Sequence, residues 1–183
     1  MNRPFVLIAL FAALSLTCAA AQVSQTPAAE ITFTFTRQSG AASNQFAVWI
    51  EDAQGKYIKT LYAARYTASG GWRRRDTSIP TWVRQSGLSL MTNAQIDAFT
   101  GATPGNGNLS YTWDGTDSRG AAVPAGEYVI FLEGTLRWAN QVIYRAPIRL
   151  GQGPASPEVK VEYMGDAVAE RSMIGNVRVR TLR

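Results

Sequence analysis

The sequence predicts an all-β fold, an antiparallel β-sandwich carrying a long inserted loop with short helices. Several short runs alternate apolar and polar residues with a period of two, the signature of a half-buried strand. Clusters of Gly, Pro, Asp and Asn separate those runs at turn-like intervals. The composition, 46% hydrophobic and 17% charged over 183 residues, is that of one globular domain with a real core.

Taken in order, Met1-Asn2-Arg3 carries a positive charge, an apolar run follows from Phe5 to Leu16, and Cys18-Ala19-Ala20-Ala21 precede Gln22. A short apolar stretch ending in Ala-x-Ala predicts a cleavable export signal over 1–21 and a protein of the periplasm. The rival reading anchors a lipid on Cys18, but Ser15 and Thr17 stand where lipoprotein signals usually carry Leu and a small residue, which favours cleavage after Ala21. Residues 22–30 read as a flexible leader and 31–183 as a single domain. Ile31, Phe33 and Phe35 alternate with threonines, and Phe46, Val48 and Ile50 repeat the pattern before Asp52-Ala53-Gln54-Gly55 turns the chain into Lys56–Ala63.

Residues 64–108 break the strand rhythm. Pro80 starts a helical turn or two around Trp82-Val83, stopped by Gly87, and Asn93 is placed to cap a short helix bearing Ile96 and Phe99. Gly101–Asn108 reads as a small-residue loop. Strand signals resume at Leu109, Tyr111 and Trp113, at Tyr128, Ile130 and Leu132, and from Val142 to Leu150. They close with Val159, Val161 and Tyr163, then Val177 and Val179.

Composition excludes several chemistries. The chain has no histidine, and its single cysteine is Cys18, inside the expected signal. A Ser-His-Asp triad, Cys-His nucleophiles, His-ligated zinc or haem and intramolecular disulfides are therefore closed to the exported chain. The formal charge is +5, concentrated at Arg73-Arg74-Arg75 and at Arg178, Arg180 and Arg183. Export argues against nucleic acid as the partner of these arginines, and solvated faces are their plain reading. A carboxylate-based enzyme such as a glycosidase would need a paired set of acids, and no such pair is evident among the 13 acidic residues.

Two constellations stand out. Trp113-Asp114-Gly115-Thr116-Asp117-Ser118-Arg119-Gly120, followed by Val123-Pro124-Ala125-Gly126-Glu127-Tyr128, resembles the strand-turn-strand of immunoglobulin-like modules in flagellar hook-capping proteins. That resemblance makes the expected fold an immunoglobulin-like antiparallel β-sandwich. In such a motif the Trp fills the core and Asp and Gly build the turn, which suits Asp114 and Asp117 better than a calcium site.

The second, Asp97-Ala98-Phe99-Thr100-Gly101-Ala102-Thr103, resembles the flavinylation sequence Asp-x-x-(Ser/Thr)-Gly-Ala-Thr of the sodium-pumping quinone reductases and related complexes. In that family an FAD:protein FMN transferase joins FMN through its phosphate to the last threonine, which implies Thr103 as acceptor and Asp97, Thr100, Gly101 and Ala102 as the surrounding motif. The residues suit the chemistry: small neighbours leave room for another enzyme, Pro104 biases Thr103 toward an extended backbone, and a phosphoester needs neither Cys nor His. Trp72 or Trp82 could stack on the flavin ring, and Arg73, Arg74 or Arg75 could offset its charge.

The order of the chain from 31 to 150 also resembles the periplasmic DUF2271 proteins. Its carriers are Phe46-Ala47-Val48-Trp49-Ile50-Glu51-Asp52, Lys56-Tyr57-Ile58-Lys59-Thr60-Leu61, the basic Trp72 stretch, the Thr-Gly-Ala-Thr segment and the Trp-Asp-Gly module. One stretch departs: Gly134–Asn140 has no counterpart of an Ala-Arg-Glu-His-like sequence, so no role of that histidine carries over. The resemblance implies partnership with an FMN transferase and with a PepSY-type membrane redox protein. The expected function is an exported flavoprotein with covalent FMN on Thr103, an electron carrier and not an enzyme in its own right. The alternative is a cofactor-free immunoglobulin-like adhesion or assembly module.

Overall fold

The computed structural model describes residues 27–40, 43–166 and 168–183. The expected signal and residues 22–26 of the leader lie outside the described residues. The strands are β1 (Ala29–Phe35), β2 (Gln45–Asp52), β3 (Tyr57–Ala64), β4 (Thr100–Gly101), β5 (Gly107–Trp113), β6 (Gly126–Arg137), β7 (Asn140–Leu150), β8 (Lys160–Met164) and β9 (Ile174–Thr181). They form one three-stranded sheet, β5-β1-β9, and one six-stranded sheet, β4-β3-β2-β6-β7-β8.

Alternation dictates how the sheets meet. In β1, Ala29, Ile31, Phe33 and Phe35 are buried while the residues between them are half-buried, so one face turns inward. These side chains pack against Phe46, Val48 and Ile50 of β2 and Ile130 and Leu132 of β6, and Trp113 is fully buried in the same core. The strand expected from Ile31 begins two residues earlier, because Ala29 already pairs with Trp113 and Thr181.

The expected sandwich is present, with one parallel exception: β4 runs parallel to β3, Ala63 opposite Thr100 and Ala64 opposite Gly101. A third layer covers the other face of the large sheet. Helices α1 (Arg65–Ala68), α2 (Pro80–Gln85) and α3 (Asn93–Asp97) belong to the insertion. Ala68, Ile79, Trp82 and Leu88 bury Ala47, Trp49 and Ala63 beneath them. This is why all of β2 from Gln45 to Glu51 is buried, on both faces.

Buried polar groups tie that layer down. Glu133, fully buried, accepts from the backbone N–H groups of Thr81 (3.1 Å) and Trp82 (2.8 Å) at the start of α2. The hydroxyl of Thr135 accepts from the N–H of Ile79 (2.8 Å) and holds that residue at φ 41°, a strained place for a β-branched side chain. Helix α3 is capped one residue before the expected Asn93: Thr92 Oγ1 accepts from Gln95 N–H, and Gln95 reaches back to Thr92 N–H. Among the described residues no helix is long and apolar enough to cross a membrane.

Candidate functional site

The motif Asp97–Thr103 runs from the end of α3, through β4, into the loop that reaches β5. It therefore crosses the large sheet at β4 and ends in the loop that leads on to the small one. Of the loop expected over Gly101–Asn108, Gly101 pairs with β3 as part of β4, and Gly107 and Asn108 already belong to β5, so the loop proper spans 102–106.

Tyr62 supports this segment from below. Its hydroxyl donates to the carbonyl of Ala102 at 3.0 Å, with a longer contact to that of Gly101 at 3.4 Å. Its ring lies so close under Gly101 that a Cβ there would stand 2.9 Å from Tyr62 Cε2. The ring is fixed in turn, stacked on Phe46 at 4.7 Å and against Tyr111 at 5.0 Å. Burial pushes the Tyr62 hydroxyl up to about 12 and raises that of Tyr111 as well, so both stay protonated donors. At the far end of the loop, Asn106 Oδ1 accepts from Arg37 N–H at 2.7 Å.

Held at both ends, the loop treats its two threonines differently. Thr100 Oγ1 is sealed from solvent and has no hydrogen-bond partner. Thr103 lies outside any strand or helix and is half-buried. No hydrogen bond ties its hydroxyl to another described residue. Ala102 beside it is exposed. Of the two hydroxyls, that of Thr100 is sealed in the protein, whereas that of Thr103 belongs to a half-buried residue of the loop.

The candidate flavin contacts divide. Trp82 is fully buried, its indole N–H donating to Thr60 Oγ1 at 2.9 Å and its ring set edge-on to Phe99. It is core, and stacking on a surface ligand is closed to it. Trp72 is half-buried, with the Arg73 guanidinium 4.8 Å above its ring. Trp72, Arg73 and Asp97 line one cleft of about 420 Å³ beside α3, so the fold brings the adjacent Trp72 and Arg73 to the distant Asp97. Arg73 and Arg74 are exposed and Arg75 is half-buried.

The Trp-Asp-Gly module is structural. Trp113 donates to the carbonyl of Thr116 at 2.8 Å. Asp114 accepts from Thr116 N–H and its hydroxyl and pairs with Lys59 at 3.0 Å. Burial works to raise the Asp114 carboxyl, but these bonds outweigh it and leave it lowered. Asp117 accepts from the N–H groups of Arg119 and Ala121. The C-terminal arginines are less free than a solvated face suggests: Arg180 pairs with Glu30 at 2.7 Å and Arg183 donates to the carbonyl of Asp114 at 2.8 Å.

Tyr62, Tyr111 and Asn106 were not singled out by sequence reasoning. Tyr62 carried no clean signal, because a register shift in β3 sets Thr60 opposite Trp49 but Tyr62 opposite Val48 and so breaks the alternation; Asn106 carried none, because its partner Arg37 is 69 residues away. Residues 28–166 match the family described as "Predicted periplasmic protein (DUF2271)". No curated protein and no solved structure matches the chain.

Proposed function

The chain belongs to the DUF2271 family of predicted periplasmic proteins, and on that premise we propose that it is an exported flavoprotein carrying covalent FMN on Thr103. The observation that carries the reading is the contrast between the two motif hydroxyls, one sealed in β4 and one set out on the loop. In the attachment step Thr103 Oγ1 forms a bond to the riboflavin-bearing phosphorus of FAD. The P–O–P link breaks, AMP leaves, and the hydroxyl proton is released to the transferase.

The chain's own residues prepare that oxygen. Gly101 lets the segment lie flat on Tyr62, whose hydroxyl fixes the Ala102 carbonyl, and Asn106 anchors the return to β5. Asp97, exposed on the preceding helix, is placed for the transferase to read. When bound, the isoalloxazine supplies one- or two-electron redox chemistry. The protein's role in this reading is that of a carrier between envelope redox partners, of which a PepSY-type membrane protein is the proposed one.

Co-expression with an FAD:protein FMN transferase, followed by fragment mass spectrometry, tests the attachment. The expected result is a flavin adduct localised to Thr103, lost in Thr103→Ala and retained in Thr103→Ser. An unmodified Thr103 in the co-expressed wild type overturns the reading and returns the chain to a cofactor-free assembly module.

A further inference from the structure

Outside the motif, a groove of about 700 Å³ is lined by Arg65, Tyr66, Gly70, Gly71, Arg73 and Arg74. All three arginines are exposed. Among the described residues none of them forms an ion pair with a carboxylate. Three cations around one concavity, without anionic partners, favour an anionic ligand.

The groove also has an aromatic floor. Tyr66 is 49% exposed. It is held by Gly71, where any Cβ would collide with the Tyr66 carbonyl oxygen and ring. Gly70, at φ 106°, makes the turn that brings Gly71 there. The chain uses two successive glycines to fix one tyrosine against the backbone while leaving half of it uncovered.

The register places this groove beside the acceptor loop. Ala64 is opposite Gly101 on the parallel pair β3–β4, so the next residues are Arg65 on one chain and Ala102 on the other. Neighbouring strands lie about 4.8 Å apart, and α1 packs against β4. The first groove arginine and the acceptor loop thus leave the sheet together.

We propose that the Arg65–Tyr66–Arg73–Arg74 groove is the seat of an anionic aromatic ligand, the ring and phosphate of the flavin tethered at Thr103. This rests on the flavinylation reading and adds to it the residues that hold the flavin. Two electrons and one proton convert the oxidised ring to a reduced ring with one negative charge, and the arginines favour that anion over the neutral oxidised form. Tyr66 stacks on the ring.

The test uses full-length protein co-expressed with the transferase, as wild type, as Arg65→Gln/Arg73→Gln/Arg74→Gln, and as Tyr66→Leu. Intact mass, flavin fluorescence and dithionite titration of the reduction potential are read on each. All substituted residues are exposed, and matching far-UV spectra and melting curves check the fold. The expected result is full modification in every protein, with a lower potential in the triple variant and brighter fluorescence in Tyr66→Leu. If the arginines favour the reduced anion tenfold, the potential falls by about 30 mV, the value for a two-electron couple. Modified variants with wild-type potential and fluorescence overturn this proposal alone. A triple variant that loses the adduct assigns the groove to docking of the transferase and likewise overturns it. An unmodified wild type overturns both readings.

Discussion

At the scale of single residues, Gly101 and Tyr62 make a sharp test of how the acceptor loop is held. The Tyr62 ring packs against Phe46 and Tyr111, which also touch each other, so a new methyl group at 2.9 Å would press it into that cluster. Gly101→Ala is expected to cost about 1–3 kcal/mol in a urea melt. Combined with Tyr62→Leu, the cost should fall clearly short of the sum of the two single changes; strict additivity would show that the contact does not matter. Glu133 offers a second test. Desolvation raises its carboxyl above the ordinary 4.5, against the pull of the Trp82 and Thr81 N–H groups. The folded chain therefore keeps that proton to higher pH than the unfolded chain, and stability drains away as pH climbs from about the ordinary value through the raised one. Glu133→Gln should gain on the wild type across that rise, whatever constant penalty it carries. A pH-independent difference between the two melts would refute this. Neither role was visible in the sequence, because the partners of Glu133 lie more than fifty residues away; Thr103, the proposed acceptor, by contrast sits in a contiguous motif.

Among the elements, legibility followed the length of the repeating pattern. The strands β1, β5, β6 and β7 announced themselves because alternation over several residues leaves one face apolar. Strand β4 could not, since two residues carry no period and its partner β3 is set by tertiary packing. In β2, Phe46, Val48 and Ile50 gave the inward face, while Ala47 and Trp49 pointed to a second buried face that became clear only with the insertion in place. Helix α3 forms where expected but ends at Asp97, short of Phe99, and its cap lies one residue earlier, because Asn93 and Thr92 are both good caps and only Gln95 completes the box with Thr92. Thr92→Ala should cost about 1 kcal/mol. Its effect should appear as faster amide exchange at Gln95 and Ile96, with the rungs of β6–β7 unaffected. Uniform acceleration across the protein would show that α3 does not loosen by itself.

For the whole molecule, the large sheet is a middle layer, and the insertion is structural before it is anything else. Trp49 stacks on Phe131 at 4.9 Å beneath it, and Trp82 and Ile79 complete the cover. Replacing residues 65–99 with a short glycine-serine linker is expected to expose Ala47, Trp49 and Phe131 and give a protein that binds a hydrophobic dye and self-associates. A monomeric, dye-silent product would mean that the inner core alone suffices. The sandwich and the acceptor motif could be read from the sequence. The outer core could not, because it is assembled from segments that meet only in three dimensions; the arginine groove comes from one contiguous stretch, of which the sequence singled out Arg73 and Arg74 but neither Arg65 nor Tyr66. One feature of this architecture reaches beyond stability. The strand leading into the acceptor loop belongs to one sheet and the strand leading out belongs to the other, so the loop has its final shape only after both halves have closed on each other. Under the flavinylation proposed above, a modifying enzyme would meet that shape only on a molecule whose halves had already closed, and half-assembled chains would stay unlabelled.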